Sequence, residues 1–260
     1  MTRFINSPES MVAAIREYGV LPLFRSSIPG WSIEDMTAPG YWFDTEGVLG
    51  PWDWKVDAVR QGDIAYGKFI GGKAAFATLE WYRHLMNWRR SIPHYRMALG
   101  EKFKATTNGD KLNKAYAPEI LSKVKADGEI RAEGLRAICS KKSVYENVSR
   151  FLQMGTWLVV GNIEREYRGP NLTYSGWQRI SLTTPEVFFG IGEILRSAQD
   201  DRGGAQDARK APAWAKMFEQ ETGAGTESLS CLPEESRHVI IGHIREVFPE
   251  ADYDKLTKII

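Results

Sequence analysis

Residues 49–90 read LGPWDWKVDAVRQGDIAYGKFIGGKAAFATLEWYRHLMNWRR, and this stretch decides the fold predicted for the chain. Two apolar runs, over residues 64–70 and 73–79, meet at Gly71-Gly72. Adjacent glycines supply the positive φ angles that a tight two-residue hairpin turn requires. The stretch therefore predicts a β-hairpin, with one helix before it over residues 52–60 and another after it over residues 79–90.

The register of this hairpin follows from its turn. With Gly71-Gly72 as the loop, Lys68 is expected to face Ala75, and Tyr66 is expected to face Ala77. Two large polar side chains would then lie opposite two methyl groups, which leaves room for a pocket on that face.

Arg89 falls inside the apolar stripe of the helix over residues 79–90. A buried guanidinium needs an acceptor, and Asp53 and Asp57 on the preceding helix are the candidates. Two interpretations stay open. In the first, Arg89 forms a core ion pair and the aromatic residues are ordinary packing. In the second, six residues form a pocket: Trp52, Trp54, Tyr66, Lys68, Arg89 and Arg90.

Four runs in this stretch resemble the AlkZ-related family of bacterial proteins: PWDWK at 51–55, GDIAYGKFI at 62–70, FATLEWY at 76–82 and NWRR at 87–90. That family is similar, more remotely, to the AlkZ and YcaQ DNA glycosylases, whose chains are built from winged-helix units. The resemblance implies a winged-helix, DNA-binding protein with a role in DNA repair. The glycosylases carry a glutamine pair separated by one apolar residue, whereas every glutamine here is solitary.

If the protein acts on a damaged base, it must extrude that base into a pocket where aromatic side chains stack on it. Lys68 would then stabilise charge, and Asp53 or Glu80 would orient a water molecule. These three residues are the catalytic candidates that go with the resemblance. Whether the protein is an enzyme stays open, and if it is, the expected reaction is hydrolysis of the DNA glycosylase type.

The composition of the chain indicates a globular protein with a hydrophobic core and without a membrane span. The chain has 260 residues, of which 43% are apolar, so it can bury a sizeable core. No signal-like leader and no apolar stretch of about 20 residues is present, so we expect a cytoplasmic protein without a membrane partner. Cys139 and Cys231 lie far apart without metal-ligand spacing, which predicts buried thiols, no metal site and no cofactor.

The charge is distributed unevenly along the chain. Residues 83–150 contain 15 Lys and Arg against 7 Asp and Glu, whereas the parts before and after carry net charges of −3 and −4. A basic patch in the middle third could contact phosphates. Alternating charges on solvated helix faces would produce the same imbalance, so the sequence supports both interpretations.

Residues 116–181 form the second organised unit. Helices are expected to start at Pro118, near Ala132 and at the capping box Ser143-Val-Tyr-Glu146, followed by strands over 157–164 and 177–182 with a polar loop over 167–176. Three helices followed by a hairpin is the winged-helix order. The fold class predicted is α+β and mainly helical, with tandem winged-helix-like units whose wings are β-hairpins.

Three domains are expected: residues 1–108 with the Trp-rich hairpin, residues 109–183 as a winged-helix unit, and residues 184–260 as a helical region. The last includes helices over 212–221 and 233–248. A winged helix commonly puts its third helix in the major groove of duplex DNA and its wing on the backbone. The residues expected to contact DNA are Lys141, Lys142, Asn147, Ser149, Arg150, Gln153 and Arg168. The alternatives are an enzyme or binding protein that receives a small anionic ligand at Lys68 and Arg89, and a non-enzymatic interaction protein.

Overall fold

A computed structural model describes residues 4–38, 40–42, 49–190 and 231–260. The described chain is α+β and mainly helical, with two three-stranded antiparallel sheets. The prediction of an α+β, mainly helical fold is therefore confirmed. The helix predicted over residues 212–221 lies outside the described residues.

The first half contains a sheet whose strands are ordered β1-β3-β2. Its elements are α1 (Pro8–Tyr18), β1 (Val20–Pro22), α2 (Ile33–Met36), α3 (Pro51–Val59), β2 (Ile64–Ile70) and β3 (Lys73–Thr78). Three helical segments follow: α4 (Leu79–Ser91), α5 (Pro93–Arg96) and a 3₁₀ turn at Met97–Leu99.

The second half repeats this order, and its sheet is ordered β4-β6-β5. Its elements are α6 (Asn108–Asp127), β4 (Glu129–Arg131), α7 (Ala132–Arg136), α8 (Lys142–Met154), β5 (Val159–Arg168) and β6 (Thr173–Thr183). Each half thus runs helix, strand, two helices and two strands, with the last strand central in the sheet. The chain continues through α9 (Pro185–Phe188), and the described C-terminal part holds α10 (Pro233–Val247) and α11 (Tyr253–Ile259).

The predicted hairpin turn is confirmed, because Gly71 and Gly72 have φ angles of 56° and 71°. The predicted register is wrong beyond the turn. A β-bulge between Gly67 and Ile70 adds a residue to β2, so that Tyr66 faces Phe76 rather than Ala77. The tilted rings of Tyr66 and Phe76 pack together with their centroids 4.9 Å apart, and the space predicted beside Tyr66 is filled.

The second half differs from its prediction at three boundaries. Helix α6 begins ten residues before Pro118, because Thr107 and Asp110 form the capping box that starts it. Helix α8 begins at Lys142 without a side-chain cap, so the capping box predicted at residues 143–146 is absent. Strands β5 and β6 extend into the predicted polar loop, which shortens it to residues 169–172.

The C-terminal helices pack onto the first half, with α10 lying along α4. Gly19, which caps α1 at φ +67°, lies against this interface. No side chain fits at Gly19, because a Cβ there would lie 2.2 Å from Cδ1 of Trp81. The Trp81 ring in turn stacks on His243 of α10, with centroids 3.7 Å apart. None of the helices in the described ranges is both long and apolar enough to cross a lipid bilayer.

Candidate functional site

Arg89 is fully buried and is surrounded by backbone carbonyls. Its guanidinium donates to the carbonyl oxygens of Phe69, Met154, Ile259 and Ile260, at 2.9 Å for Met154 and 2.7 Å for the closer Ile260 contact. Burial lowers the pKa of this guanidinium. The prediction that Asp53 or Asp57 accepts hydrogen bonds from Arg89 is therefore wrong, and Arg89 does not close a pocket. Its donors are used to join three separate segments of the chain.

The other residues of the predicted pocket do not converge on one cavity. Trp54 and Tyr66 are buried in the core, at 4% and 8% exposure. Lys68 is exposed. Arg90 pairs with the carboxylate of Glu186, and its guanidinium lies 4.6 Å from the centroid of the Trp157 ring.

Asp53, a catalytic candidate from the sequence, is buried in a polar cluster between α3 and the β5–β6 hairpin. Its carboxylate accepts hydrogen bonds from the Tyr174 hydroxyl and, at 3.0 Å, from Nε2 of Gln178. Arg165 donates to the Asp53 carbonyl at 3.1 Å and to the Asp57 carboxylate at 3.0 Å. Burial, followed by the bond to Asp53, raises the pKa of Tyr174 to about 12. These contacts give Asp53 a structural role, tying the hairpin to α3.

Glu80, the other candidate carboxylate, is exposed on α4. Lys68 is also exposed, and its backbone N–H, left unpaired in the sheet by the bulge, donates to Oε1 of Gln153 at 2.8 Å. The three catalytic candidates Asp53, Lys68 and Glu80 thus lie in different surroundings. Their roles in catalysis stay a prediction from the sequence.

Lys55 was missed by the sequence reasoning. Only 3% of this residue is exposed, its ammonium nitrogen lies 3.3 Å from the centroid of the Trp52 ring, and it donates to the Trp52 carbonyl. Within the described ranges it makes no ion pair. Burial lowers its pKa to about 7, with Asp53 opposing the shift and Arg165 adding to it. The i, i+3 spacing of Trp52 and Lys55 on a helix was the available signal.

Helix α8 does not present the face that was predicted to contact DNA. Ser149 and Gln153 are buried, at 7% and 4% exposure, because strand β2 of the first half packs against this side. Gln153 donates to Oγ of Ser149 at 3.0 Å while accepting from Lys68. Asn147 donates to Oδ1 of Asn113 at 2.9 Å, which joins α8 to α6. The prediction that Ser149 and Gln153 face outward is therefore wrong.

The cations at the start and along the outer edge of α8 remain exposed. Lys141 is the N-cap residue, Lys142 is the first residue of the helix, and Arg150 lies two turns further on. Of these three, only Lys142 has an ion-pair partner among the described residues, namely Glu146 at 3.6 Å. On the neighbouring α6, Lys111 and Lys114 are also exposed.

The outer face of the second sheet carries three arginines that pair with two glutamates. Glu166 pairs with both Arg168, at 3.2 Å, and Arg179, at 3.1 Å, and Arg131 pairs with Glu164 at 2.7 Å. Trp177 lies on this face with 68% of its surface exposed. A cleft of about 560 Å³ runs past these side chains and is lined by Arg131, Glu133, Gly134, Glu166, Arg168, Trp177, Gln178 and Arg179. Because its arginines are already paired, this face has little charge to offer a phosphate.

Comparison with known proteins gave one informative result. No curated protein and no solved structure matched the chain significantly. The model of a family described as AlkZ related matches residues 5–211, which is about four fifths of the chain. The match includes both three-stranded sheets and the hairpin whose sequence carried the resemblance. The chain therefore belongs to the AlkZ-related family.

Proposed function

We propose that this protein binds duplex DNA through the second of two winged-helix units. The repeated order of helix, strand, two helices and two strands, with the last strand central in each sheet, supports a winged-helix description of both halves. The domain limits predicted from the sequence, 1–108, 109–183 and 184–260, fit that description. A fold of this kind does not by itself specify a function, so DNA binding depends on the charged groups that the surface presents.

The observation that carries the proposal is the start of α8. Its first turn has no side-chain cap, but the Val144 N–H donates to the Lys141 carbonyl. The N–H groups of Lys142 and Ser143 are therefore the ones available to a ligand, and Lys141 and Lys142 flank them in sequence. The N-terminus of a helix flanked by lysines favours a phosphate, both through these N–H groups and through the helix dipole. Arg150, on the same exposed edge of the helix, would contact a second phosphate.

The covered side of α8 limits how DNA can be read. Ser149 and Gln153 would be the base-reading positions of a third helix lying in the major groove, but strand β2 occupies that side. We infer that α8 meets the backbone with its N-terminal end and makes few contacts with base edges. The expected binding is therefore dominated by phosphate contacts, with weak sequence preference and strong salt dependence.

A role in DNA repair rests on the family's relation to the glycosylases. The proposal assigns DNA binding to this chain without base excision, because the carboxylate of Asp53 is engaged by Tyr174 and Gln178. We do not propose that Lys68 and Arg89 bind a small anion, because the N–H donors of Arg89 already donate to backbone oxygens. A DNA-binding role fits the cytoplasmic location expected from the sequence.

The test is a fluorescence-anisotropy titration of a labelled duplex at low salt. We expect micromolar affinity that falls steeply as salt is raised. The double substitution Lys141→Glu/Lys142→Glu should weaken binding by about tenfold or more, because it places two acidic groups beside the start of α8. The matched control is Lys255→Glu/Lys258→Glu on α11, which changes the net charge equally at two exposed positions.

Three outcomes would count against the proposal. Absence of salt-sensitive binding at micromolar protein would favour a non-enzymatic interaction protein. An equal loss in the α11 control would show that net charge and not the start of α8 is responsible. Unchanged affinity in the α8 variant would move any DNA contact to another surface.

A further inference from the structure

Four polar side chains meet where α10 packs on α4, away from the surface proposed to bind DNA. Oγ of Ser236 lies 3.1 Å from Sγ of Cys231 and 3.1 Å from Nδ1 of His84. Nδ2 of Asn87 donates to the same hydroxyl at 2.8 Å and to the Cys231 carbonyl at 3.0 Å. The thiol, the hydroxyl and the imidazole thus form one hydrogen-bonded chain.

The directions of these bonds follow from the donors available. Asn87 can only donate through Nδ2, so Ser236 accepts from it and has one proton of its own to give. With neutral His84 accepting at Nδ1, the Ser236 hydroxyl donates to the imidazole and can accept a proton from the Cys231 thiol. The direct separation between Sγ and Nδ1 is 3.9 Å, so the hydroxyl provides the shorter route for the proton.

The residues of the cluster differ in their exposure to solvent, and only an exposed side chain can react with a molecule from solution. Ser236 is fully buried, whereas the Cys231 residue is partly exposed. Cys231 also lies two residues before the start of α10, a helix of 15 residues, and its sulfur contacts Ser236 in the first turns. The N-terminal end of a helix stabilises a developing thiolate. The other cysteine, Cys139, is buried and has no such partners among the described residues, and burial raises the pKa of its thiol.

We propose that Cys231 is a nucleophilic thiol, activated by His84 through Ser236, that accepts a carbon electrophile bearing a leaving group. As sulfur forms its bond to carbon, the leaving group departs with the bonding electrons. The thiol proton passes to Oγ of Ser236, and the Ser236 proton passes to Nδ1 of His84. The imidazolium then returns its proton to solvent or to the leaving group, and the product is a thioether. The family match ends at residue 211, so it includes His84 but neither Cys231 nor Ser236.

The surroundings of His84 keep it in the form that accepts a proton. Burial lowers the pKa of His84, Glu80 on the same helix opposes that shift and Arg83 adds to it. On α10, Ser236 is flanked by two charged residues. The Glu235 carboxylate accepts from the Leu232 backbone N–H at 2.7 Å, and the Arg237 guanidinium donates to the Thr257 carbonyl at 2.6 Å. The lowered pKa of His84 favours the neutral imidazole, which is the form that acts as a base.

The test follows alkylation of the full chain by iodoacetamide from pH 5.5 to 8 in a Cys139→Ser background. We expect Cys231 to react at pH 7 about tenfold faster than in Ser236→Ala, and with a weaker pH dependence than the tenfold per pH unit of an unassisted thiol. His84→Gln should behave like Ser236→Ala. The control His243→Gln removes an imidazole from the same α4–α10 interface without touching the chain of bonds, and should react like the parent.

Ser236→Ala removes only one buried hydroxyl. It therefore still tests the role of Ser236 in activating Cys231 if His84→Gln does not fold. Thermal unfolding of each variant checks that α10 remains docked on α4. Equal rates for the parent and Ser236→Ala, with a tenfold rise per pH unit in both, would overturn the proposal. Equal slowing in His243→Gln would also overturn it, since the effect would then come from packing at the interface.

Discussion

Nη2 of Arg89 donates to the carbonyl oxygen of Ile260 at 2.7 Å, a contact that joins helix α4 to a residue 171 positions further along the chain. The same guanidinium holds Phe69 at the end of β2 and Met154 at the end of α8. Helix α4, the first hairpin, the third helix of the second half and the C-terminal helix therefore meet at one buried cation. No Asp or Glu side chain of the described chain pairs with it, so backbone oxygens offset the cost of its burial.

We predict that Arg89→Met lowers the free energy of unfolding by about 3 kcal/mol or more, because several buried carbonyls lose their donor at once. Urea unfolding followed by tryptophan fluorescence measures this. Arg136→Met, which shortens an exposed arginine in α7, is the matched control and should change stability by less than about 0.5 kcal/mol. A loss below about 1 kcal/mol for Arg89→Met would show that water replaces the guanidinium.

Because burial lowers the pKa of Lys55, we predict that the folded protein becomes more stable as the pH rises above 7. In the unfolded chain this amine holds its proton up to its ordinary pKa of 10.5, whereas in the folded protein its pKa is about 7. Between these values the unfolded state binds the additional proton, so the folded state gains stability as the pH rises. At or below pH 7 the full cost of burying the charge is present.

Lys55→Met should therefore be more stable than the parent at pH 6.5, and the difference should shrink by pH 9.5. Urea unfolding at the two pH values measures it. Lys68→Met removes an exposed amine from the neighbouring hairpin and serves as the control. A difference between Lys55→Met and the parent that stays constant across this range would contradict the lowered pKa of Lys55.

The Tyr174 hydroxyl joins the β5–β6 hairpin to Asp53 of α3 and also accepts from Nε2 of Gln178 at 3.1 Å. Tyr174→Phe should cost about 1 to 2 kcal/mol, because it leaves the buried Asp53 carboxylate short of a donor. Hydrogen exchange of the β5 and β6 amides should quicken near residue 174. Tyr167→Phe, a change in a ring that is 53% exposed, should leave this exchange as it is.

The arginines of the β5–β6 hairpin and the lysines at the start of α8 should differ in their effect on DNA binding. Arg168→Ala and Arg179→Ala remove cations that are already paired with Glu166, so each should change affinity for duplex DNA by less than about threefold. Lys141→Ala removes a cation without an ion pair within the described chain and should reduce both the affinity and the slope of its salt dependence. Anisotropy titrations at three salt concentrations separate these effects, and the opposite ranking would place the contact on the β5–β6 hairpin.

The sequence by itself determined the elements and the family. The Gly71-Gly72 turn, the helices around it, and the order of three helices and a hairpin in the second half follow from local signals, since turn chemistry and apolar periodicity act over a few residues. The motifs of residues 51–90 identified the family that the match over residues 5–211 then showed. Boundaries were less well determined, as at Pro118, where a capping box further upstream starts the helix.

Only the tertiary structure decided which side chains face one another. The pairing of Arg89 with Ile260, the burial of Gln153 by β2, and the meeting of Cys231 with His84 each join segments between 85 and 171 positions apart. Helical periodicity indicates that a residue is on the inner or the outer side of its own helix. It does not indicate whether another part of the chain will cover the outer side. The partners of a buried charge therefore depend on packing between distant elements, which a local pattern does not encode.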